Sequence, residues 1–166
     1  PLLGYLQQKG AKVSVFDKRL KDAIDRNSLI KVEQYHMELY TGEDYLSHLK
    51  GVNIIFRSPS CRPDLPEIQK EVENGAILTS EIEMLLELCP GKIIGVTGSD
   101  GKTTTTTLIY EMIKQKGYSC YLGGNIGTPL FDKIEMMKPS DVIVLELSSF
   151  QLMNMKVSPE IAVITN

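Results

Sequence analysis

From Gly95 to Gly117 the sequence reads GVTGSDGKTTTTTLIYEMIKQKG: the end of an apolar run, a glycine loop, a lysine, five threonines and an amphipathic tail. Backbone N–H groups presented by a glycine-rich turn at a helix start form an anion cradle, because free amides and the helix dipole both favour a phosphate. In this reading Lys102 reaches the β- and γ-phosphates of a nucleotide, the Thr103 hydroxyl ligates magnesium, and Thr104 and Thr105 offer hydroxyls near the phosphates. The strict pattern GxxxxGK[ST] fails, since Val96 stands where its first glycine belongs and glycines sit at Gly95 and Gly98. Context carries the reading instead: Gly101-Lys102-Thr103 follows a buried-strand pattern and precedes a helix pattern with Leu108, Ile109, Met112 and Ile113 on one stripe. The alternative is a strand running through TTTTTLIY, since β-branched residues favour sheets. Near a helix start, however, a threonine can bond its side-chain oxygen to free amides, and Thr106 and Thr107 are expected to pack against the sheet.

Three further groups could do chemistry. In DVIVLELSSF, Glu146 stands near the end of an apolar strand, where it either reaches a metal held at the neighbouring glycine loop or lies at the sheet edge with Ser148 or Ser149 capping the next helix. In GGNIG, Asn125 either donates to a ligand or bonds within its own turn, and the residues alone favour the turn. Asp17-Lys18-Arg19 follows a strand, where nucleotide-binding sheets place a carboxylate against a ribose or base; a solvated charge run is the bland alternative. His36 and His48 have no partner at metal or triad spacing and are expected on the surface, whereas Met136, Met137, Met153 and Met155 are expected to fill core gaps.

The elements that position these residues alternate. KVSVF, NIIF, KIIGV, DVIVLEL and IAVIT are short apolar or β-branched runs, most of them patterned for burial on both faces, and DLPEIQKEVENG, SEIEMLLELCPG and TTTTTLIYEMIKQKG are helical. Such alternation implies crossover units and a mostly parallel sheet. The fold class is therefore α/β: a Rossmann-like N-terminal domain over residues 1–90, its first strand missing, then part of a P-loop parallel-sheet ATPase domain over residues 91–166. The Pro-Gly in LCPGK marks the boundary. The opening helix reads as one that a first strand and glycine turn would precede, and VITN stops at a sheet's carboxyl edge, so the chain reads as a fragment.

Composition narrows the class. The 166 residues are 42% hydrophobic, enough to fill a core, and the net charge of -3 comes from 18 basic and 21 acidic residues in mixed order. No basic stripe grips a nucleic acid, and no apolar run approaches the roughly 20 residues of a membrane span. Cys61, Cys89 and Cys120 share no CxxC or Cys/His clustering, which fits reduced thiols in a cytoplasmic protein.

TGSDGKTTTT, GGNIGTPL and VLELSSFQL, in this order, closely resemble the Mur ligases, and the last two point to the D-glutamate-adding branch. The resemblance covers nearly the whole chain; the phosphate loop alone is shared with folylpolyglutamate synthases. It implies an ATP-dependent amide ligase of three domains that uses Mg2+ and joins D-glutamate to UDP-N-acetylmuramoyl-L-alanine through an acyl phosphate, in peptidoglycan precursor synthesis. The loop Ser99, Asp100, Gly101, Lys102, Thr103, Thr104 and Thr105 would bind ATP, with Thr103 and Glu146 serving the metal and Lys102 and Glu146 the catalysis. Asn125 and Ser148 would contact the muramoyl substrate. Asp17, Lys18 and Arg19 would lie near uracil and its ribose, and Ser58 near the diphosphate. The family usually shows SPG where this chain has Ser60, and a side chain there crowds backbone contacts to the ligand. A histidine loop, a modified lysine and a third domain would lie beyond Asn166, so these residues alone are expected to be inactive. A monomer is expected. Rival readings are a sister ligase adding another amino acid, a non-catalytic module binding a UDP-sugar, and an unrelated P-loop ATPase.

Overall fold

The computed structural model describes residues 2–153 and 155–166, an α/β chain in which short strands alternate with helices. By contact it divides into two compact units, Leu2–Ile55 with Arg62–Leu78, and Phe56–Cys61 with Thr79–Asn166. The sequence suggests a change of domain at residue 90. The contact division assigns the preceding helix to the second unit, where its Leu85 is buried.

The first unit holds α1 (Leu2–Gln8), β1 (Ser14–Asp17), α2 (Arg26–Gln34), β2 (Glu38–Thr41), most of β3 (Ile54–Phe56), α3 (Pro66–Glu73) and most of β4 (Ile77–Thr79). β1 and β2 pair in parallel from Ser14↔Glu38 to Asp17↔Thr41. α2 begins where the Asp25 side chain accepts the Ser28 amide at 2.9 Å, and α3 begins on Pro66, whose fixed φ suits a first helical turn. Leu46, Leu49, Ile68 and Ala76 form the buried centre. Glu71 is buried too, and its carboxylate accepts the Gly51 amide at 2.7 Å, which removes most of the penalty of burying it. β2 and β4 have no counterpart among the sequence expectations. His36 and His48 are exposed as expected, and His48 stacks on Tyr40 at 4.4 Å.

The second unit holds α4 (Glu81–Leu88), β5 (Lys92–Thr97), α5 (Lys102–Gln115), β6 (Cys120–Gly124), β7 (Val142–Glu146), α6 (Ser149–Leu152) and β8 (Ile161–Ile164). Its sheet runs β6-β7-β5-β8 with every pair parallel, so the carboxyl ends of β5, β6 and β7 lie together. Ile143, Val144 and Leu145 of β7 are fully buried, the burial a central parallel strand needs on both faces. β8 departs from the expected two-faced burial: Ile161 and Ile164 are exposed, because among the described residues β8 ends the order and pairs only with β5.

The five threonines lie on a helix, which overturns the strand alternative. Thr106 is fully buried, but Thr107 is exposed, contrary to its expected packing against the sheet. The helical period turns one neighbour inward and the next outward. The same period leaves Leu108 and Met112 exposed, so the expected apolar stripe is covered only at Ile109 and Ile113. Met137 fills the core as expected, whereas Met136 and Met153 are exposed.

Candidate functional site

β5 delivers the chain to the glycine loop. Gly98 has φ 139°, and a Cβ there would lie 2.3 Å from both the carbonyl oxygen and the hydroxyl of Thr165, so only glycine fits. Thr165 clamps the loop: its amide and hydroxyl donate to the Thr97 carbonyl at 2.8 and 3.1 Å, and its hydroxyl also reaches the Asp100 carbonyl at 2.5 Å. Sequence reasoning missed Thr165, since only the parallel pairing of β8 with β5 brings it here. Gly101, in the left-handed region with φ 74°, caps α5 without a side-chain hydrogen bond. The first-turn amides therefore keep their donors for an anion. Lys102 folds across the loop and donates to the carbonyls of Gly98 and Ser99 at 2.8 and 2.9 Å. Ser99, Asp100 and Thr104 are exposed, and Thr105 is half-buried in the first turn.

Opposite the loop stands Glu146. Parallel register sets Glu146 beside Val96 on one side and Gly124 on the other, so a buried carboxylate faces the loop from the adjacent strand. One carboxylate oxygen accepts the Thr103 hydroxyl at 2.7 Å and the other accepts the Asn125 amide at 3.0 Å. Asn125 is doubly tied, since its backbone N–H donates to the Glu146 carbonyl at 2.8 Å. Gly124 permits this approach: at φ 89°, a Cβ would lie 2.1 Å from that carbonyl. Ser148 caps α6 in a reciprocal box with Gln151, as the capping alternative for DVIVLELSSF expects. Among the described residues no trio of His, Cys, Asp or Glu converges on a metal position. The Thr103 hydroxyl and Glu146 carboxylate are nevertheless paired hard oxygen donors at the phosphate loop, a set that fits Mg2+.

The remaining predicted residues fall in two places. In the second unit an open pocket of ≈ 260 Å³ is bounded by Arg57, Pro59, Glu81, Asn125, Leu130 and Gln151, so it adjoins the loops of Ser58 and Asn125 and the helix that Ser148 caps. Ser58 is exposed, and its hydroxyl lies 3.2 Å from that of Ser60, the residue standing where the resemblance expects glycine. Burial pushes the Glu81 carboxyl above its ordinary range, with nearby Asp132 adding to the shift. Neither Glu81 nor Arg57 carried a signal in the sequence, where each looks like any surface charge. In the first unit the Asp17 carboxylate accepts the Arg19 amide at 2.8 Å and the Arg19 guanidinium at 3.1 and 2.7 Å. That side-chain bond holds the Asp17 carboxyl below its usual range against a partial desolvation. Lys18 is exposed beside the pair.

A phosphate loop facing a strand-borne carboxylate is common to many nucleotide-binding proteins, so likeness to known proteins decides the family. Residues 96–166 match the Mur ligase middle domain. Over all 166 residues the chain is 54% identical to the UDP-N-acetylmuramoylalanine–D-glutamate ligase of Clostridium botulinum (strain Hall), and covers 36% of that protein. The chain belongs to the Mur ligase family. The ligase of the same name from Clostridium kluyveri is 52% identical over the same 166 residues, again with 36% of its length covered. A solved UDP-N-acetylmuramate:L-alanyl-gamma-D-glutamyl-meso-diaminopimelate ligase of Neisseria meningitides shares the fold, with a TM-score of 0.54 and 17% identity over 98% of this chain and 55% of that one. This Mur ligase chain thus spans about a third of the length of the curated relatives it matches.

Proposed function

We propose that the chain is the nucleotide-binding portion of an ATP-dependent ligase that adds D-glutamate to UDP-N-acetylmuramoyl-L-alanine in the cytoplasm, as a monomer. The observation that carries this reading is the 2.7 Å bond from Thr103 to Glu146, which joins the phosphate loop to a carboxylate on the next strand. Its support for D-glutamate is the 54% identity to a relative of that name. On this reading residues 1–90 serve the nucleotide sugar, through Asp17, Lys18, Arg19 and Ser58, and residues 91–166 begin the ATP domain.

The reaction must bring ATP and a carboxylate together, two anions that repel. Lys102 lies within the loop that would hold the phosphates, and it exchanges its bonds to the Gly98 and Ser99 carbonyls for phosphoryl oxygens. Thr103 and Glu146 would hold Mg2+, which supplies charge neutralisation on the phosphoryl oxygens. Ser99, Asp100 and Gly101 shape the loop, and Thr104 and Thr105 carry hydroxyls into the first turn. Asn125 and Ser148 orient the muramoyl substrate so that its alanine carboxylate oxygen attacks the γ-phosphorus, with ADP leaving. The D-glutamate amine then attacks the acyl carbon, a C–N bond replaces the C–O bond, phosphate leaves and the amine loses a proton.

The test is amide formation by the complete enzyme containing this chain, supplied with Mg-ATP, UDP-N-acetylmuramoyl-L-alanine and, in separate reactions, D-glutamate, L-lysine or diaminopimelate. Product with D-glutamate alone is expected. Product only with another amino acid would make this a sister ligase, and ATP hydrolysis without any amide would remove the ligase reading.

A further inference from the structure

We infer that Arg57 is a positioning residue that locks the loop Ser58–Cys61 to the carbonyl end of α6. Arg57 is only 7% exposed, which is unusual for a cation, and it donates to backbone carbonyls. One terminal nitrogen donates to the carbonyls of Ser58, Pro59 and Cys61 at 3.3, 3.4 and 3.0 Å. The other donates to Phe150 and Met153 at 3.3 and 2.9 Å. The last carbonyls of a helix lack donors from the helix itself, and here the guanidinium supplies one to Phe150 of α6 and one to Met153 at its C-cap. The planar fork fits this task because its two arms point in fixed, separate directions, whereas an ammonium is a point charge on a flexible stem.

The two segments it joins carry different parts of the site. The loop side bears Ser58 and one wall of the pocket; the helix side begins at Ser148, two residues after Glu146. Residues 57 and 150 are 93 apart in sequence, and this one side chain fixes the spacing of Ser58 relative to Ser148. None of these hydrogen-bond partners is a residue proposed to meet the ATP phosphates, so the effect of Arg57 falls on the muramoyl side alone. The catalytic part of this inference rests on the proposed function; the structural part does not.

Two measurements on the complete enzyme test it, using Arg57→Lys and Arg57→Gln. Amide hydrogen exchange should quicken together in residues 58–61 and 149–153 while the phosphate-loop helix, residues 102–115, keeps its protection. KM for UDP-N-acetylmuramoyl-L-alanine should rise about tenfold or more, with KM for Mg-ATP within about twofold, and Lys should not rescue Gln. Unchanged exchange in either segment, rescue by Lys, or an equal loss for both substrates overturns the inference. If the wild-type enzyme forms no amide, the functional reading fails by itself, and the exchange experiment still decides the role of Arg57.

Discussion

At the residue scale the site reduces to one carboxylate with two occupants. Glu146 is buried, and its two oxygens hold Thr103 and Asn125, so replacing the charge while keeping the shape is informative. Glu146→Gln is expected to lower kcat by about a hundredfold and to raise the Mg2+ concentration for half-maximal rate, with KM for the muramoyl substrate changed by less than about twofold. A magnesium titration of initial rates checks it. Asp17 offers a pH argument. Its folded carboxyl is held below the unfolded value by the Arg19 side chain, so its contribution to stability is present above the unfolded value and lost as pH falls through the folded one. In Arg19→Gln the Asp17 titration, followed by NMR of its carboxyl carbon, is expected to move upward.

At the element scale the threonine run separates propensity from packing. Thr106 and Thr107 both turn their hydroxyls back to the carbonyl four residues earlier, at 2.7 and 2.8 Å, yet one is buried and the other exposed. The same substitution should therefore have opposite signs. Thr107→Ala removes an exposed β-branched residue from a helix interior and should stabilise by about 0.5 kcal/mol, whereas Thr106→Ala opens a cavity under the helix and should cost about 1 to 2 kcal/mol. Urea unfolding of the two variants measures both. Cys120 at the start of β6 gives a second element-scale expectation: burial pushes its thiol up to about 11. At pH 8 its thiolate fraction should be about a hundredfold below that of an ordinary thiol, so alkylation should be correspondingly slow, and stability should fall as pH rises from the unfolded value through the folded one.

At the scale of the whole molecule, the residues proposed for the uridine end and those proposed for ATP belong to separate units of the chain. Lys102→Ala in the complete enzyme is expected to abolish binding of a Mg-ATP analogue in calorimetry while the affinity for UDP-N-acetylmuramoyl-L-alanine stays within about threefold. Loss of both together would show that the two sites are not separable.

Much of this was legible in the sequence. The glycine loop, the strands around Val96 and Leu145 and the helix after Lys102 could be read directly, because loop chemistry and hydrophobic period are local properties of consecutive residues. The departures share one cause. Whether Thr107, Leu108 or Met112 is covered, and whether β8 has a second neighbour, depends on what packs against each element, which no local pattern records. The same holds for the long-range contacts: the clamp of Thr165 on the glycine loop, the grip of Asn125 on Glu146, and the reach of Arg57 across the unit. Sequence by itself determined which residues could do the chemistry. Tertiary structure alone decided which of them meet, because parallel pairing joins strands far apart in the chain, and a side chain's partners are set by register and burial rather than by its neighbours in sequence.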